Sequence, residues 1–207
     1  MKKIIFGLIF IGILFTSFKF FDKIKTERSS KISVLNDSSK EKLDAQVNQI
    51  RNVIQANPKY NKDIAFFIDM KIPSGKNRFF VYDLKKKGIT DKGLVAHGSG
   101  SETGVQGKLK FSNTYNSLAT SLGKYYIGNS YIGRFGKAYK LYGLDKTNSN
   151  AFDRAIVLHK YFDVPYEEQT EYICNSYGCP MVNQKYFKRI EKIIDNSKTN
   201  ILLVIYY

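Results

Sequence analysis

The chain of 207 residues has no tryptophan, only two cysteines and two histidines, and its 18 acidic residues are outnumbered by 33 lysines and arginines. Each scarcity removes a class of protein. Two cysteines cannot build the disulfide framework on which small exported scaffolds depend, and a chain this long buries a core without one. Any thiol, imidazole or mixed Cys/His metal chemistry reduces to His97, His159, Cys174 and Cys179. There is no internal repeat and no nucleic-acid motif of the usual kinds. The formal charge of +15 therefore suits a polyanionic neighbour such as phospholipid head groups or cell-wall polymers, and no nucleic-acid partner is expected. Aromatic and apolar residues are plentiful: 15 Tyr, 15 Phe and 43% hydrophobic residues describe a globular, strand-prone chain and exclude collagen, coiled coil and simple disorder.

Lys2 and Lys3 precede an uninterrupted apolar and small-residue run from Ile4 to Phe18, followed by Lys19, Phe20 and Phe21. A positive segment leading into an apolar one has the form of an export signal. The run is short for a spanning helix of about 20 residues, yet no small-x-small cleavage site follows it and no cysteine lies nearby to take a lipid. The expectation is an uncleaved inner-membrane anchor at 1–21 in preference to a cleaved signal. A flexible tether follows at 22–38, then one domain at 39–207 placed in the periplasm or cell envelope.

Ser39 can cap a helix whose apolar stripe, Leu43, Val47, Ile50 and Ile54, recurs at helical spacing until Asn57-Pro58 stops it. The pattern then changes to short extended runs separated by turn residues: 64–70, the turn 73–77, 78–84, the lysine turn 85–88, and 94–98. This is a β-meander. Residues 99–150, rich in Gly, Ser, Tyr and Asn, suit aromatic-lined loops joining short strands. The run 154–159 reads as a buried strand ending in a titratable group, Asn183 can cap a helix to about Ile194, and 201–207 is a final strand. The fold class is mainly β with a few peripheral helices.

The informative segment runs from His159 to Cys179 and ends Asn175-Ser176-Tyr177-Gly178-Cys179-Pro180-Met181-Val182. A cysteine in a Ser-x-Gly-Cys turn, with a histidine twenty residues earlier, has the two parts of a thiol nucleophile. The imidazole would accept the thiol proton or pair with the thiolate, lowering the cysteine pKa so that the reactive form is populated near neutrality. Gly178, lacking a Cβ, allows a turn that aims N–H groups at a developing oxyanion. Three other uses of these residues stand beside this one: a buried apolar cysteine, a Cys174–Cys179 disulfide, and a zinc site drawn from the two histidines and two cysteines.

Residues 154–159 together with Ser176-Tyr177-Gly178-Cys179-Pro180-Met181-Val182 resemble the signature of the L,D-transpeptidase (YkuD-like) catalytic domain. The likeness is greatest to its murein L,D-transpeptidase branch with a Ser-x-Gly-Cys-Pro-x-Val ending. Ala96-His97-Gly98-Ser99-Gly100-Ser101, 111–113, 120–125 and Tyr131-Ile132-Gly133-Arg134-Phe135-Gly136 extend the resemblance over roughly residues 60–207. It implies a compact sandwich or barrel of β-strands with Cys179 as nucleophile and His159 as its base. Ser176 would orient the imidazole side, Gly178 and Cys179 would supply oxyanion donors, and His97, Tyr131 and Arg154 would contact substrate. Peptidoglycan stem peptides are the implied substrate. The thiolate would displace D-Ala from the diamino acid and pass the acyl group to an amine, with no metal or organic cofactor. Water as acceptor would make a carboxypeptidase, and loss of chemistry would leave a wall-binding protein. Tyr177 stands where many members have His, and Asn175 where close relatives have Arg, which leaves Arg134, Lys124 and Arg154 as candidates for a substrate carboxylate.

Overall fold

The computed structural model describes residues 35–207; the expected anchor at 1–21 and most of the tether lie outside the described residues. The chain divides into two units, Met1–Lys40 and Glu41–Tyr207. The described end of the first unit already turns into helix α1, Asp37–Ala56. Its cap is Asn36, whose Oδ1 accepts the Ser39 N–H at 2.8 Å, so Ser39 lies inside the helix instead of capping it. In the second unit the stripe Leu43, Val47, Ile50 and Ile54 is buried as its spacing predicts.

Nine strands follow: β1 Tyr60–Asp69, β2 Phe79–Asp83, β3 Gly88–Gly93, β4 Val95–Ala96, β5 Gly123–Gly133, β6 Gly136–Gly143, β7 Val157–Lys160, β8 Met181–Val182 and β9 Asn200–Tyr206. Helix α2, Gln184–Asp195, lies between β8 and β9, and Asn183 Oδ1 caps it by accepting the Lys185 N–H. The strands form one sheet in the order β3-β2-β1-β9-β5-β6-β7-β8-β4. β1 with β9 and β7 with β8 run parallel, and the other ladders are antiparallel.

The two ends of this order, β3 and β4, are separated in the chain by Leu94 alone. Because one residue advances the backbone by under about 4 Å, the sheet must curl until its edges nearly meet, which makes it barrel-like. Inside the curl lies a core to which β1, β2, β5, β6, β7, β9 and α2 all contribute, with Phe66, Phe79 and Tyr186 packed edge to face at its centre. Ala65–Ile68 and Ile201–Ile205 are buried without alternation, because both strands sit between neighbours with both faces covered. Burying each such large side chain contributes about 1.5–3 kcal/mol.

Two strand expectations shift. The polar run Gly88–Gly93 is a strand, pairing with β2 as a sheet edge, where the sequence suggested a turn at 85–88 and no element before 94. The expected strand at 154–159 begins only at Val157: Ala155 adopts φ 55°, and the N–H groups of Arg154, Ala155 and Ile156 close back onto Asn150, Phe152 and Ala151.

Candidate active site

His159 sits in β7 between β6 and β8, opposite Ala138 on one side and Met181 on the other. Strand alternation places Val157 and His159 on the same face, and both line a cavity of about 650 Å³. The His159 Nδ1 lies 3.0 Å from the Lys160 carbonyl oxygen. A carbonyl only accepts, so Nδ1 carries the proton and the Nε2 lone pair is bare. Phe135, at the tip of the β5–β6 hairpin, stacks on the ring at 5.4 Å and 15°. Burial holds the imidazole below its ordinary pKa, and the Lys160 hydrogen bond opposes this.

Cys179 enters the same cavity from the loop after Asn175. Gly178 makes the approach possible: it adopts φ 113°, and a Cβ there would stand 2.9 Å from the Ala119 carbonyl oxygen. The sulfur accepts the Val157 N–H at 3.4 Å, and its S–H donates to the Ala155 carbonyl at 3.6 Å. Thus the resting thiol hydrogen-bonds to the backbone before β7 and not to the imidazole. Burial pushes the Cys179 pKa up, against the opposing pull of the Val157 N–H and the Arg154 charge. The expectation of a lowered thiol pKa is therefore corrected. Desolvation dominates, so the thiol and the imidazole line the cavity as neutral groups at rest.

Ser176 Oγ accepts the Gly178 N–H at 3.1 Å, so the serine hydroxyl braces the nucleophile loop and not the histidine, and the Gly178 N–H is already committed. Among the described residues the Cys179 N–H meets no protein acceptor. The loop is anchored on its other side by a short parallel bridge between Gly98 and Ser176, in which Ser176 N–H donates to the His97 carbonyl and Ser99 N–H to the Ser176 carbonyl.

Tyr131 and Arg134 line the cavity from the β5–β6 hairpin, and Phe162 and Tyr177, about three-quarters exposed at 75% and 77%, stand at its mouth. Among the described residues Arg134 is the only permanently charged side chain lining it. Lys124 is instead paired with Asp145 at 2.7 Å. Two residues expected at the substrate lie elsewhere. Arg154 clamps the 112–121 loop, donating to the carbonyls of Ser112 and Ala119 and the hydroxyls of Ser117 and Ser121. His97 is buried between Arg78 and Glu102 and lines a separate cavity of about 280 Å³. The four Cys and His side chains do not gather into one ligand set, and both cysteines are free thiols. Sequence reasoning overlooked Arg78 and Glu102, because one arginine among many basic residues carries no local signal of burial. Phe135 lay within a quoted motif, but nothing marked it as the imidazole's stacking partner.

The family model of the L,D-transpeptidase catalytic domain (YkuD_2) matches residues 35–206. No curated protein matches the chain. Among solved structures it is similar to the Ldtfm-avibactam carbamoyl enzyme, with 10% identity over 71% of this chain and 50% of that one and a TM-score of 0.44. An L,D-transpeptidase from Xylanimonas cellulosilytica matches at 12% identity over 70% and 61%, with a TM-score of 0.38. A mutant of a helical cell shape determining protein from Campylobacter jejuni matches at 11% identity over 69% and 46%, with a TM-score of 0.45. This chain spans between about half and three-fifths of the length of these proteins.

Proposed function

Because this chain belongs to the L,D-transpeptidase catalytic domain family, we propose that it is a peptidoglycan acyltransferase in which Cys179 is the nucleophile and His159 the general base. The observation that carries the reading is the shared cavity: a thiol, and an imidazole whose tautomer leaves Nε2 bare, open onto the same space beside one permanent positive charge.

Since both groups rest neutral, attack and proton transfer go together. The sulfur turns from the Ala155 carbonyl, Nε2 takes its proton, and sulfur bonds to the carbonyl carbon between the diamino acid and D-Ala of a stem tetrapeptide. The free Cys179 N–H stabilises the oxyanion, while the Val157 N–H and Arg154 favour negative charge on sulfur. The imidazolium then protonates the D-Ala amine, which leaves, and a thioester remains. An acceptor amine attacks the thioester carbon, gives its proton to Nε2 and restores the thiol as the new amide forms. Water in place of the amine gives the carboxypeptidase outcome, which product analysis with and without an acceptor separates. Arg134, which lines the cavity, would meet a carboxylate of the stem peptide, and export to the cell envelope would bring the enzyme to this substrate.

Mass spectrometry after incubation with a carbapenem tests the nucleophile. The wild type should gain one adduct, mapped to Cys179, and the Cys179→Ala protein none. No adduct on folded wild type, or equal adducts on both, would overturn the assignment.

A further inference from the structure

Arg78, just before β2, is 1% exposed and among the described residues has no carboxylate within ion-pair distance. Its guanidinium donates twice to the Val95 carbonyl, at 2.9 and 2.8 Å, once to the Ile72 carbonyl at 3.1 Å, and once to His97 Nδ1 at 2.8 Å. Even with its pKa drawn down to about 9 by burial, it is charged at neutral pH.

A guanidinium has donors only, so the His97 Nδ1 must be bare. Nε2 then carries the proton and donates it to Glu102 at 2.6 Å. This arrangement admits one protonation state, a neutral ring with one acceptor and one donor. Charged groups face it from two elements, Arg78 before β2 and Glu102 after the 3-10 turn Ser99–Ser101, and Asp69 at the end of β1 acts on Arg78.

The consequence falls on the nucleophile loop. The Glu102 oxygen that accepts from His97 also accepts from Asn175 Nδ2 at 3.4 Å, and the His97 carbonyl accepts the Ser176 N–H at 2.8 Å. Asn175 is thus tied by its side chain to the carboxylate that His97 holds, and Ser176 by its backbone to His97 itself, immediately before Tyr177-Gly178-Cys179. Neither tie needs substrate.

We propose that His97 is a positioning residue: locked between Arg78 and Glu102, it sets where the 175–179 loop places the Cys179 thiol and N–H. The proposal rests on the acyl-transfer reading for its kinetic effect and on geometry alone for its effect on the loop.

The test uses the full-length protein and its His97→Ala, His97→Gln and Glu102→Ala forms. Glutamine carries an acceptor and a donor on one planar group, as the neutral imidazole does. Carbapenem acylation should slow about tenfold or more at saturation in His97→Ala, with the half-saturating concentration unchanged, and His97→Gln should recover most of it. Glu102→Ala, at a half-exposed position, leaves the buried His97 N–H without its acceptor, so it should melt somewhat lower, still fold, and also slow acylation. Hydrogen exchange at the Ser176 amide needs no substrate and should quicken about tenfold in His97→Ala, and less in His97→Gln.

Wild-type acylation and amide protection in folded His97→Ala would overturn the proposal, as would a glutamine form no better than alanine. Should His97→Ala not fold, an unchanged acylation rate in Glu102→Ala would overturn it. If the wild type is never acylated, the acyl-transfer reading fails, and Ser176 exchange still decides whether His97 holds the loop.

Discussion

Adding one methyl group at Gly98 should disable the site while leaving the fold standing. Gly98 has φ −70° and ψ 140°, a backbone that any residue adopts, so its replacement by alanine is a question of space alone. A Cβ there would stand 2.1 Å from the Leu118 carbonyl oxygen and 2.8 Å from both the Cα and N of Gly178. None of these is the end of a flexible side chain. The Leu118 carbonyl must give by about 1 Å and the nucleophile loop by roughly 0.6 Å to reach ordinary contact, and a displacement approaching 1 Å costs up to about 100-fold in rate when it falls on reacting groups. Overpacking of this kind also destabilises by about 1–3 kcal/mol, which an ordinary domain of this size survives. Carbapenem acylation followed by mass spectrometry reads the first effect. Urea unfolding reads the second by circular dichroism or tyrosine emission, since the chain has no tryptophan. Gly88→Ala is the control, because a Cβ there meets nothing within 4 Å, and both measurements should match the wild type. A folded Gly98→Ala protein that acylates at the wild-type rate would refute the claim that the contact between these two segments sets the thiol's position.

Two further outcomes follow from charge. His97 and His159 are both held below the ordinary histidine range by burial, with the Arg78 charge adding to the effect at His97. Each binds fewer protons folded than unfolded below about pH 6.5. Their contribution to stability is complete above that pH and lost as the pH falls, by up to about 1.4 kcal/mol per pH unit for each. Urea unfolding between about pH 5 and 7 should show this, with a shallower slope in His159→Gln; a flat profile, or an unaltered slope in the variant, contradicts it. Arg134→Ala should raise KM for a stem tetrapeptide about 10- to 100-fold, as the loss of a charge-assisted contact implies, and leave kcat nearly unchanged. Iodoacetamide labelling of Cys179 serves as the check, since it should be unaffected, and an equal fall in kcat would count against carboxylate binding.

The helical stripe from Leu43 to Ile54, the Asn183 cap of α2, the aromatic meander and the final strand were legible because each is set by near neighbours in the chain: periodicity, a capping side chain, turn residues. The two short runs that bring His159 and Cys179 to one cavity were legible for the same reason, since each carries a recognisable pattern. Other features depend on parts of the chain that meet only after folding. The polar strand β3 exists because β2 offers it an edge, and Ala155 leaves the expected strand because its neighbours' hydrogen bonds close a turn. Whether Arg154 and His97 reach the cavity, and that Arg78 is buried at all, are matters of packing.

Residue type and spacing by themselves determined a β-rich domain carrying a thiol and an imidazole in patterned segments. Tertiary structure alone decided that the thiol's pKa rises, that the serine hydroxyl braces a glycine, and that the second histidine is locked between a buried cation and a carboxylate. The physical reason is that desolvation and hydrogen-bond partnership depend on what surrounds a group in space, and adjacent residues supply only part of those surroundings.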